Sequence, residues 1–350
     1  MKYITLIIAF FSIFLTQCSS FSKKPESPVV SVSESWSPTI QFYTDQKTEN
    51  KTELPVITFE EIWAYVVAGR EAALTSSLPL TDIGYFGAEI DSYGKLTDVP
   101  KRSNLNQNYR GRIHLVVSCN GRALSYFTLR QGSRERSDLI TDLLSETRNF
   151  DGLQINFENI PARSGEAYLS FLRELREGLP QNKMLTVALA ARTRKIADDV
   201  YDYEKILPIV DRILVMGYDE HWSGSRPGSV ASIDWCRRVA EYSVRTIGRD
   251  KLIMGLPFYG RAWGDYGPSR ALVHSSIADL INEHSAQVYY DNGIPTFIYN
   301  RNVSVRVYYD DEQSLTSRMQ MYKSMNVRSV GFWRLGQETQ EIWKYLRAGK

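Results

Sequence analysis

The sequence predicts an α/β protein built as a (β/α)8 barrel, and three observations support this architecture. From residue 54 onward, short apolar runs alternate with helical patterns. The repeated strand–helix units total about 250 to 300 residues, the usual size of such a barrel. No GxGxxG follows the first predicted strand and no GxxxxGKS/T occurs in the chain. The nucleotide-binding motifs typical of the rival architecture, a doubly wound open sheet, are therefore missing.

Seven strands are predicted from short apolar runs, and an eighth from a turn. The seven runs lie at residues 82–86, 113–118, 152–157, 185–190, 212–217, 252–257 and 330–333. The eighth strand is predicted at 123–129, because it follows an Asn-Gly pair of the kind that makes tight turns. In a barrel, the residues that carry chemistry are expected at the carboxyl ends of these strands.

Helical patterns separate most of the strands. They are predicted at residues 59–74, 137–147, 165–178, 202–206, 233–246 and 311–325. Residues 264–307 lack this rhythm and contain Tyr-rich segments that alternate polar and apolar side chains. We therefore expect a small β-rich insertion at about 264–307, between strand 7 and strand 8.

The first residues predict export. The apolar run at residues 4–15 follows one lysine and is too short to span a bilayer as a stable helix. It predicts a signal peptide over residues 1–17. The LTQC at 15–18 resembles a bacterial lipobox, although Gln17 stands where a small residue is usual, so lipidation of Cys18 is expected. A plain signal peptide with an incidental cysteine is the alternative.

Behind Cys18, the chain predicts a tether and then one catalytic body. Residues 19–53 contain eight Ser, four Thr and three Pro, a composition that cannot bury a core. We assign residues 18–53 to a flexible tether and 54–350 to the barrel, and we expect a monomer. The protein would then be anchored by lipid in the bacterial cell envelope. Ser19 favours the outer membrane, because an Asp at that position commonly marks retention in the inner membrane.

Composition excludes several classes of function. The chain has 42 Lys and Arg against 40 Asp and Glu, which argues against a nucleic-acid partner. With 43% hydrophobic residues it is an ordinary globular protein. Its four histidines are scattered, so no metal or other cofactor is expected. Cys119 and Cys236 are interpreted as buried thiols, although an oxidising compartment would also permit a bridge between them.

The stretch at residues 150–159, FDGLQINFEN, is the most informative part of the chain. As a strand, it would place Leu, Ile and Phe on one face and Gln154, Asn156 and Glu158 on the other. In a barrel the polar face points inward and Glu158 lies highest, at the carboxyl-terminal mouth. A lone carboxyl there would have the raised pKa that a general acid requires. An antiparallel edge strand with one solvated face would give the same pattern.

Residues 151–158 resemble DGxDxDxE, the signature of the family 18 glycoside hydrolases at the end of the fourth barrel strand. Asp151, Gly152 and Glu158 match the signature. Gln154 and Asn156 stand at its second and third Asp. For Asp151, which begins the strand, a structural role is expected.

Three further segments resemble the family in its order and spacing. MGYD at 216–219 resembles strand six, LPFYGR at 256–261 strand seven and GFWRLG at 331–336 strand eight. The likeness covers roughly residues 54–346. The loop from residue 219 to 232 looks closest to the bacterial branch with spore-cortex and peptidoglycan glucosaminidases.

The resemblance implies a retaining β-N-acetylglucosaminidase in which the substrate supplies the nucleophile. The 2-acetamido oxygen of an N-acetylglucosamine (GlcNAc) unit would attack its own anomeric carbon, and Glu158 would protonate the leaving oxygen and then activate water. Asn156 would orient the acetamide N–H and Tyr218 would bind its oxygen. The other residues expected to bind substrate are Trp333 as the floor of the pocket, Asp219, Tyr259, Phe86 and Gln154.

One departure from the family leaves a second function open. Asn156 carries no charge to offset the positive ring of the transition state, which indicates a slow enzyme. The alternative is a non-catalytic carbohydrate-binding protein with the same fold, since the third Asp is absent. A different barrel enzyme or a structural envelope lipoprotein remains a further possibility. The expected partner in each glycan-binding case is a GlcNAc-containing polymer, either peptidoglycan or chitin.

Overall fold

The computed structural model describes residues 53–264, 269–300 and 303–349. The predicted signal peptide, Cys18 and the predicted tether up to residue 52 lie outside the described residues. The strands are β1 (Ile57–Phe59), β2 (Glu61–Val67), β3 (Asp82–Ile90), β4 (Leu96–Thr97), β5 (Arg112–Asn120), β6 (Gly152–Glu158), β7 (Met184–Ala190), β8 (Arg212–Met216), β9 (Leu252–Pro257), β10 (Gly260–Gly264), β11 (Arg270–Leu272), β12 (Tyr289–Asp291), β13 (Ile294–Asn300), β14 (Ser304–Tyr308), β15 (Ser329–Trp333) and β16 (Leu346–Ala348).

Seven α-helices follow the strands within the described residues. They are α1 (Arg122–Leu129), α2 (Arg134–Glu146), α3 (Gly165–Gly178), α4 (Tyr203–Ile206), α5 (Ile233–Thr246), α6 (His274–His284) and α7 (Glu312–Ser324). Side-chain caps begin several of them: Ser133, Asp202, Ser232 and Asp311 each accept a hydrogen bond from a backbone N–H in the first turn.

A closed parallel barrel is the centre of the fold. Among the described residues, eight strands hydrogen-bond in the order β2-β15-β9-β8-β7-β6-β5-β3, and β2 also pairs with β3, which closes the ring. All eight run parallel. Their carboxyl ends therefore meet at one mouth, and the predicted (β/α)8 barrel is confirmed.

The seven strands predicted from apolar runs are all barrel strands, and two other predictions are wrong. The predicted strand at 123–129 is helix α1, whose buried Ser125, Thr128 and Leu129 have helical spacing. The predicted helix at 59–74 is replaced by β1 and by β2, the first barrel strand. Because β2 is buried on both faces, its sequence lacks the alternation that would have identified a strand.

Side chains of the barrel strands fill two separate layers. Leu153, Ile155 and Phe157 of β6 pack in the main core between barrel and helices. Trp63 and Tyr65 of β2 belong instead to a cluster inside the barrel. This alternation confirms the predicted two faces of residues 152–158 and directs the polar face of β6 inward.

Charged side chains close the amino-terminal end of the barrel. Glu61 of β2 accepts hydrogen bonds from Arg112 at 2.9 Å and from Arg212 at 3.0 Å. Asp82 of β3 is fully buried and accepts from Arg112 at 2.7 Å and pairs with His114 at 2.8 Å. These contacts tie the starts of β2, β3, β5 and β8 together at the end of the barrel opposite the carboxyl-terminal mouth.

The insertion between β9 and β15 is a sheet with one helix. Its five described strands are antiparallel, in the order β11-β10-β14-β13-β12. A cluster of its own, which includes Ile277, Phe297 and Val307, packs the sheet against α6. The predicted β-rich insertion is thus confirmed, although α6 was not anticipated and the sheet begins at Gly260 and ends at Tyr308.

Two further features concern the cysteines and the membrane. Cys119 and Cys236 are both buried free thiols, so the bridge left open above is not formed. Within the described part of the chain, we find no helix of the length and apolarity needed to cross a membrane.

Candidate active site

Glu158 stands at the carboxyl end of β6, the fourth strand of the barrel. The strand ends here because Asn159 takes a left-handed backbone conformation, with φ of 59°. The hydroxyl of Tyr201 donates to Phe157 O at 3.0 Å and accepts from Ile160 N at 3.0 Å. Tyr201 therefore fixes the backbone on both sides of Glu158.

A cavity of about 460 Å³ opens at this mouth of the barrel. Most of the predicted site residues line it: Asn156, Glu158, Tyr218, Asp219, Tyr259 and Trp333. They come from β6, from the segments that follow β8 and β9, and from β15. The sequence thus predicted a group of side chains that the fold brings together from four strands of the barrel.

The environment of Glu158 favours its protonated form. Although the side chain is exposed at the mouth, desolvation by the surrounding walls raises the pKa of its carboxyl above the ordinary value. The negative charge of Asp219 adds to this rise, and the hydrogen bond from Asn156 opposes it. A carboxyl with a raised pKa at the rim of a cavity is suited to donate a proton.

Asn156 lines the cavity beside Glu158. Its Nδ2 donates to Glu158 Oε1 at 3.4 Å. Its Oδ1 is buried and has no hydrogen-bond partner among the described residues. An acceptor of this kind can take a donor from a ligand, because leaving it unpaired costs about 1–3 kcal/mol.

Gln154 lies below the cavity instead of lining it. The side chain is fully buried, accepts a hydrogen bond from the hydroxyl of Tyr65 and donates to Thr186 Oγ1 at 3.1 Å. Direct contact with substrate is not part of this arrangement, so the predicted binding role would act through its neighbours. Phe86 also lies outside the lining and packs edge-on against Trp333, with ring centres 5.1 Å apart.

The turn after β8 positions Tyr218 and Asp219. Gly217 allows the turn to approach β9 closely, since a Cβ there would lie 2.6 Å from Gly255 O. Asp219 then adopts a left-handed conformation with φ of 59°. Burial raises the pKa of the Tyr218 hydroxyl well above its ordinary value, so this hydroxyl stays protonated and can donate.

Asp219 joins the barrel to the insertion. Tyr259 donates its hydroxyl to Asp219 Oδ1 at 2.6 Å, and Arg261 of β10 donates to the same oxygen from Nε at 3.1 Å and from Nη2 at 3.0 Å. The carboxylate is thereby paired with one guanidinium and one hydroxyl. This arrangement fits a positioning role for Asp219 better than a role as nucleophile.

Three functional candidates are not predicted from the sequence. Arg261 and Gln337 line the cavity, and Tyr201 anchors the chain on both sides of Glu158. Arg261 lies within the quoted LPFYGR segment, so position after a barrel strand could have identified it. Tyr201 lies on the long loop after β7, and no local pattern marks it.

The arrangement offers a proton donor, an amide acceptor and an aromatic floor. Within the described ranges, no group of three or more His, Cys, Asp and Glu side chains could hold a metal ion.

Asp151 lies at the start of β6, away from the cavity. Its carboxylate accepts from Ile113 N at 2.8 Å and from Arg102 at 2.8 Å. These structural contacts at the start of β6 agree with the structural role expected for it.

Known proteins resemble this chain over most of its length. A curated protein from Bacillus subtilis (strain 168), "Uncharacterized glycosylase YvbX", is 30% identical over 62% of this chain and 65% of its own length. The "Cortical fragment-lytic enzyme" of the same organism is 25% identical over 79% of this chain and 69% of its own. The matched region thus spans about two thirds of these relatives.

Solved structures show the same fold. The spore cortex-lytic enzyme SleL of Bacillus cereus superposes with a TM-score of 0.73 at 22% identity, over 83% of this chain and 74% of that one. The model of the family described as "Glycosyl hydrolases family 18" matches residues 4–338. This match covers the barrel, Glu158 and all four segments in which the resemblance was seen. The chain belongs to glycosyl hydrolase family 18.

Proposed function

We propose that the protein is a retaining, substrate-assisted β-N-acetylglucosaminidase that hydrolyses β-1,4-linked GlcNAc glycans of the cell envelope. The main support for this proposal is the number of acids in the cavity. Among the described residues that line the cavity, the acids are Glu158 and Asp219, and Asp219 is engaged by Tyr259 and Arg261. A glycosidase normally needs two working carboxyl groups, so the second group must come from the substrate.

The reaction uses the 2-acetamido group in place of an enzyme nucleophile. Its carbonyl oxygen attacks the anomeric carbon while Glu158 transfers its proton to the leaving glycosidic oxygen, which gives an oxazolinium ion and a free sugar end. Glu158, now a carboxylate, takes a proton from water as that water attacks the same carbon. Two displacements at one carbon give net retention.

The cavity can hold the acetamide in the attacking orientation. Asn156 Oδ1 accepts the acetamide N–H, and Tyr218 donates to the carbonyl oxygen. Trp333 lies at the end of β15 and offers an aromatic face to the sugar ring. Such contacts lower the barrier because they hold the acetamide oxygen in line with the anomeric carbon.

Peptidoglycan is the favoured polymer. The Bacillus subtilis relative is named for lysis of cortical fragments, and a lipid on Cys18 would hold the enzyme within reach of polymer next to the membrane. We therefore propose an exported monomer with a lipid anchor in the cell envelope, most readily the outer membrane. Chitin-type oligosaccharides carry the same reacting sugar and serve as model substrates.

The decisive experiment compares the wild type with Glu158→Gln. Purified peptidoglycan and GlcNAc oligomers are digested, and the products are identified by mass spectrometry. We expect hydrolysis by the wild type, a β-anomeric first product by NMR, and no hydrolysis by Glu158→Gln despite retained binding. An inverted product would contradict the mechanism.

A second function rests on the two amides at 154 and 156. If the wild type and Glu158→Gln bind the glycans equally and neither yields product, the protein is a carbohydrate-binding member of the family that has lost turnover. An oligomer with free 2-amino groups is the mechanistic control. It lacks the attacking oxygen and should not be cleaved by an active enzyme.

A further inference from the structure

Two arginines, Arg70 and Arg334, follow neighbouring barrel strands at the carboxyl-terminal mouth. Arg70 follows β2 and Arg334 follows β15 directly after Trp333, which lines the cavity. Among the described residues, neither side chain lies within 4.0 Å of a carboxylate oxygen, and Arg334 Nη1 donates to Leu335 O at 3.4 Å. Neither arginine lines the cavity itself, so both would meet a part of the substrate that extends beyond it.

The loops that carry these arginines are packed against each other. The strands β2 and β15 are parallel neighbours, and Leu335 N donates to Tyr65 O at 3.0 Å. Further along, a Cβ on Gly336 would lie 3.5 Å from Ala73 Cβ. Both arginines are therefore held at the same side of the mouth.

The surroundings of Arg334 compensate its charge only in part. Its side chain is half-buried, and desolvation followed by the positive charge of Arg70 lowers the pKa of its guanidinium. Glu338 opposes this shift, but its oxygens accept from Gln337 N at 3.0 Å, Gln340 Nε2 at 3.2 Å and Trp343 Nε1 at 3.4 Å.

The acid next to Arg70 is also engaged elsewhere. Glu71 accepts from Gly69 N at 2.9 Å and from the hydroxyl of Tyr85. The two cations thus lie on loops that pack against each other, and the nearby carboxylates of Glu71 and Glu338 accept hydrogen bonds from other groups. An anion bound between the two cations would relieve their repulsion and gain charge-assisted hydrogen bonds.

We infer that Arg70 and Arg334 form an anion subsite that binds a carboxylate of the sugar residue next to the one in the cavity. The inference rests on the proposed function, because it names the substrate class of the same site. In peptidoglycan both neighbours of a GlcNAc unit are N-acetylmuramic acid, which bears a lactyl carboxyl group, whereas chitin has no carboxylate. The subsite therefore selects acid-bearing glycans over neutral ones.

The carboxylate has two possible sources in the polymer. The lactyl carboxylate is free where the stem peptide has been removed, and the stem peptide carries carboxylates of its own where it remains. A requirement for the first source would place the enzyme after an amide-bond hydrolysis that strips peptides from the glycan. The four substrates below separate these sources.

The test measures kcat/KM on four glycans. They are a neutral GlcNAc oligomer, a peptide-free GlcNAc–N-acetylmuramic acid strand, the same strand with its carboxylates reduced to alcohols, and a strand with stem peptides. For the wild type, we expect the peptide-free acidic strand to be preferred over its reduced form. In the double variant Arg70→Gln/Arg334→Gln this preference should fall about tenfold, as for loss of a charge-assisted hydrogen bond.

Control variants separate charge from fold. Arg334→Lys keeps the charge and should retain part of the preference, and Arg173→Gln, an exposed arginine on α3, should retain all of it. A loss seen with the peptide-bearing strand alone would assign the subsite to a stem-peptide carboxylate. An unchanged preference on both acidic strands would overturn the inference.

Failure of the proposed function is distinguishable from failure of this inference. If the wild type hydrolyses none of the four glycans, calorimetric titration of Glu158→Gln with the acidic and the reduced strand still tests the subsite. Tighter binding of the acidic strand, lost in the triple variant that also carries Arg70→Gln and Arg334→Gln, supports it. Equal binding of the two strands refutes it.

Discussion

Two amides on β6, Gln154 and Asn156, leave Glu158 without a carboxylate neighbour on its own strand. Gln154 uses its amide in the hydrogen bonds to Tyr65 and Thr186 inside the barrel. Asn156 donates to Glu158, which favours the carboxylate form, so desolvation and Asp219 must supply the rise in the pKa of Glu158. A negative charge at position 156 would raise the pKa of Glu158 further.

The variant Asn156→Asp should therefore raise kcat and move the pH profile. Its carboxylate would offset the positive charge of the transition state, which is typically worth about 10²-fold. It would also raise the pKa of Glu158, so activity would persist to higher pH before the acid is lost. Steady-state kinetics across pH measure both effects.

Asn159→Asp is the matched control for that variant. It adds the same charge one residue beyond Glu158, on a side chain that is not part of the cavity lining. We expect little change in kcat. A fall in kcat for Asn156→Asp would show that the site is adapted to an amide, contrary to the expectation.

Tyr201 is a positioning residue for Glu158. Burial raises the pKa of its hydroxyl to about 12, so the hydroxyl remains a donor to Phe157 O at neutral pH. Tyr201→Phe removes both contacts around Glu158 and should lower kcat about 5- to 30-fold, with KM less affected, as expected for the loss of about 1–2 kcal/mol.

The control for Tyr201 is its neighbour in the core. The rings of Tyr168 and Tyr201 are 6.2 Å apart, but the buried hydroxyl of Tyr168 has no hydrogen-bond partner among the described residues. Tyr168→Phe should leave kcat unchanged. If both variants lost activity equally, Tyr201 would act through general stability instead.

At the scale of elements, amphipathic helices were predictable and the first strand was not. The predicted helices at 165–178 and 233–246 coincide with α3 and α5, because each buries one face and exposes the other. Strand β2 is covered on one side by the helices and on the other by the barrel interior, so both faces are apolar. Periodicity cannot distinguish such a segment from a buried helix.

The site was predictable where its residues end a strand. Glu158, Tyr218 and Trp333 each lie at or just after the end of a barrel strand, where the chain order alone fixes their meeting point. Gln154 lies deeper on its strand, and Tyr201 and Gln337 come from loops whose course no local pattern determines. The structure was needed to find Tyr201 and Gln337 and to place Gln154 below the cavity.

The charged end of the barrel makes stability depend on pH. Burial alone would raise the pKa of Asp82, but hydrogen bonds from His114 and Arg112 lower it below the ordinary value. Glu61 is likewise lowered, by Arg212 and Arg112 against its desolvation. A carboxyl group whose pKa is lowered in the folded state stabilises the protein at pH values above its unfolded pKa. This stabilisation is lost as the pH falls through the folded pKa.

The free energy of unfolding should therefore decrease as the pH falls below about 4, where unfolded carboxyl groups take up protons. Arg112→Gln should lower stability at pH 7 and weaken this dependence, because it brings the carboxyl pKa values back toward those of the unfolded chain. Urea unfolding between pH 3 and 7 measures it. The exposed Arg173→Gln serves as control, and equal acid dependence in both variants would refute the assignment.

At the scale of the whole molecule, barrel and insertion are joined around the site. Asp219 on the turn after β8 binds Arg261 of β10. The fully buried Arg318 of α7 donates to Ala231 O, on the loop before α5, at 2.8 Å and pairs with Asp310, just beyond β14. The cavity thus depends on contacts far apart in the sequence, which explains why its lining could be predicted only in part.

We expect a lipid on Cys18 to anchor the molecule. The lipobox-like LTQC and the Ser-, Thr- and Pro-rich stretch behind it predict that Cys18 carries lipid. Cells given labelled palmitate should incorporate the label into the wild type and not into Cys18→Ala. The variant Ser19→Ala, next to the acceptor cysteine, is the matched control that should keep the label.

On soluble GlcNAc oligomers the purified wild type and Cys18→Ala should be equally active, since residues 57–348 contain every strand and helix of the barrel that the structure describes. On intact cells, Cys18→Ala should release less glycan, because an untethered enzyme loses the high local concentration that an anchor provides. Equal labelling of wild type and Cys18→Ala would exclude lipidation, and equal release from cells despite lost label would show that the anchor does not direct the enzyme to its substrate.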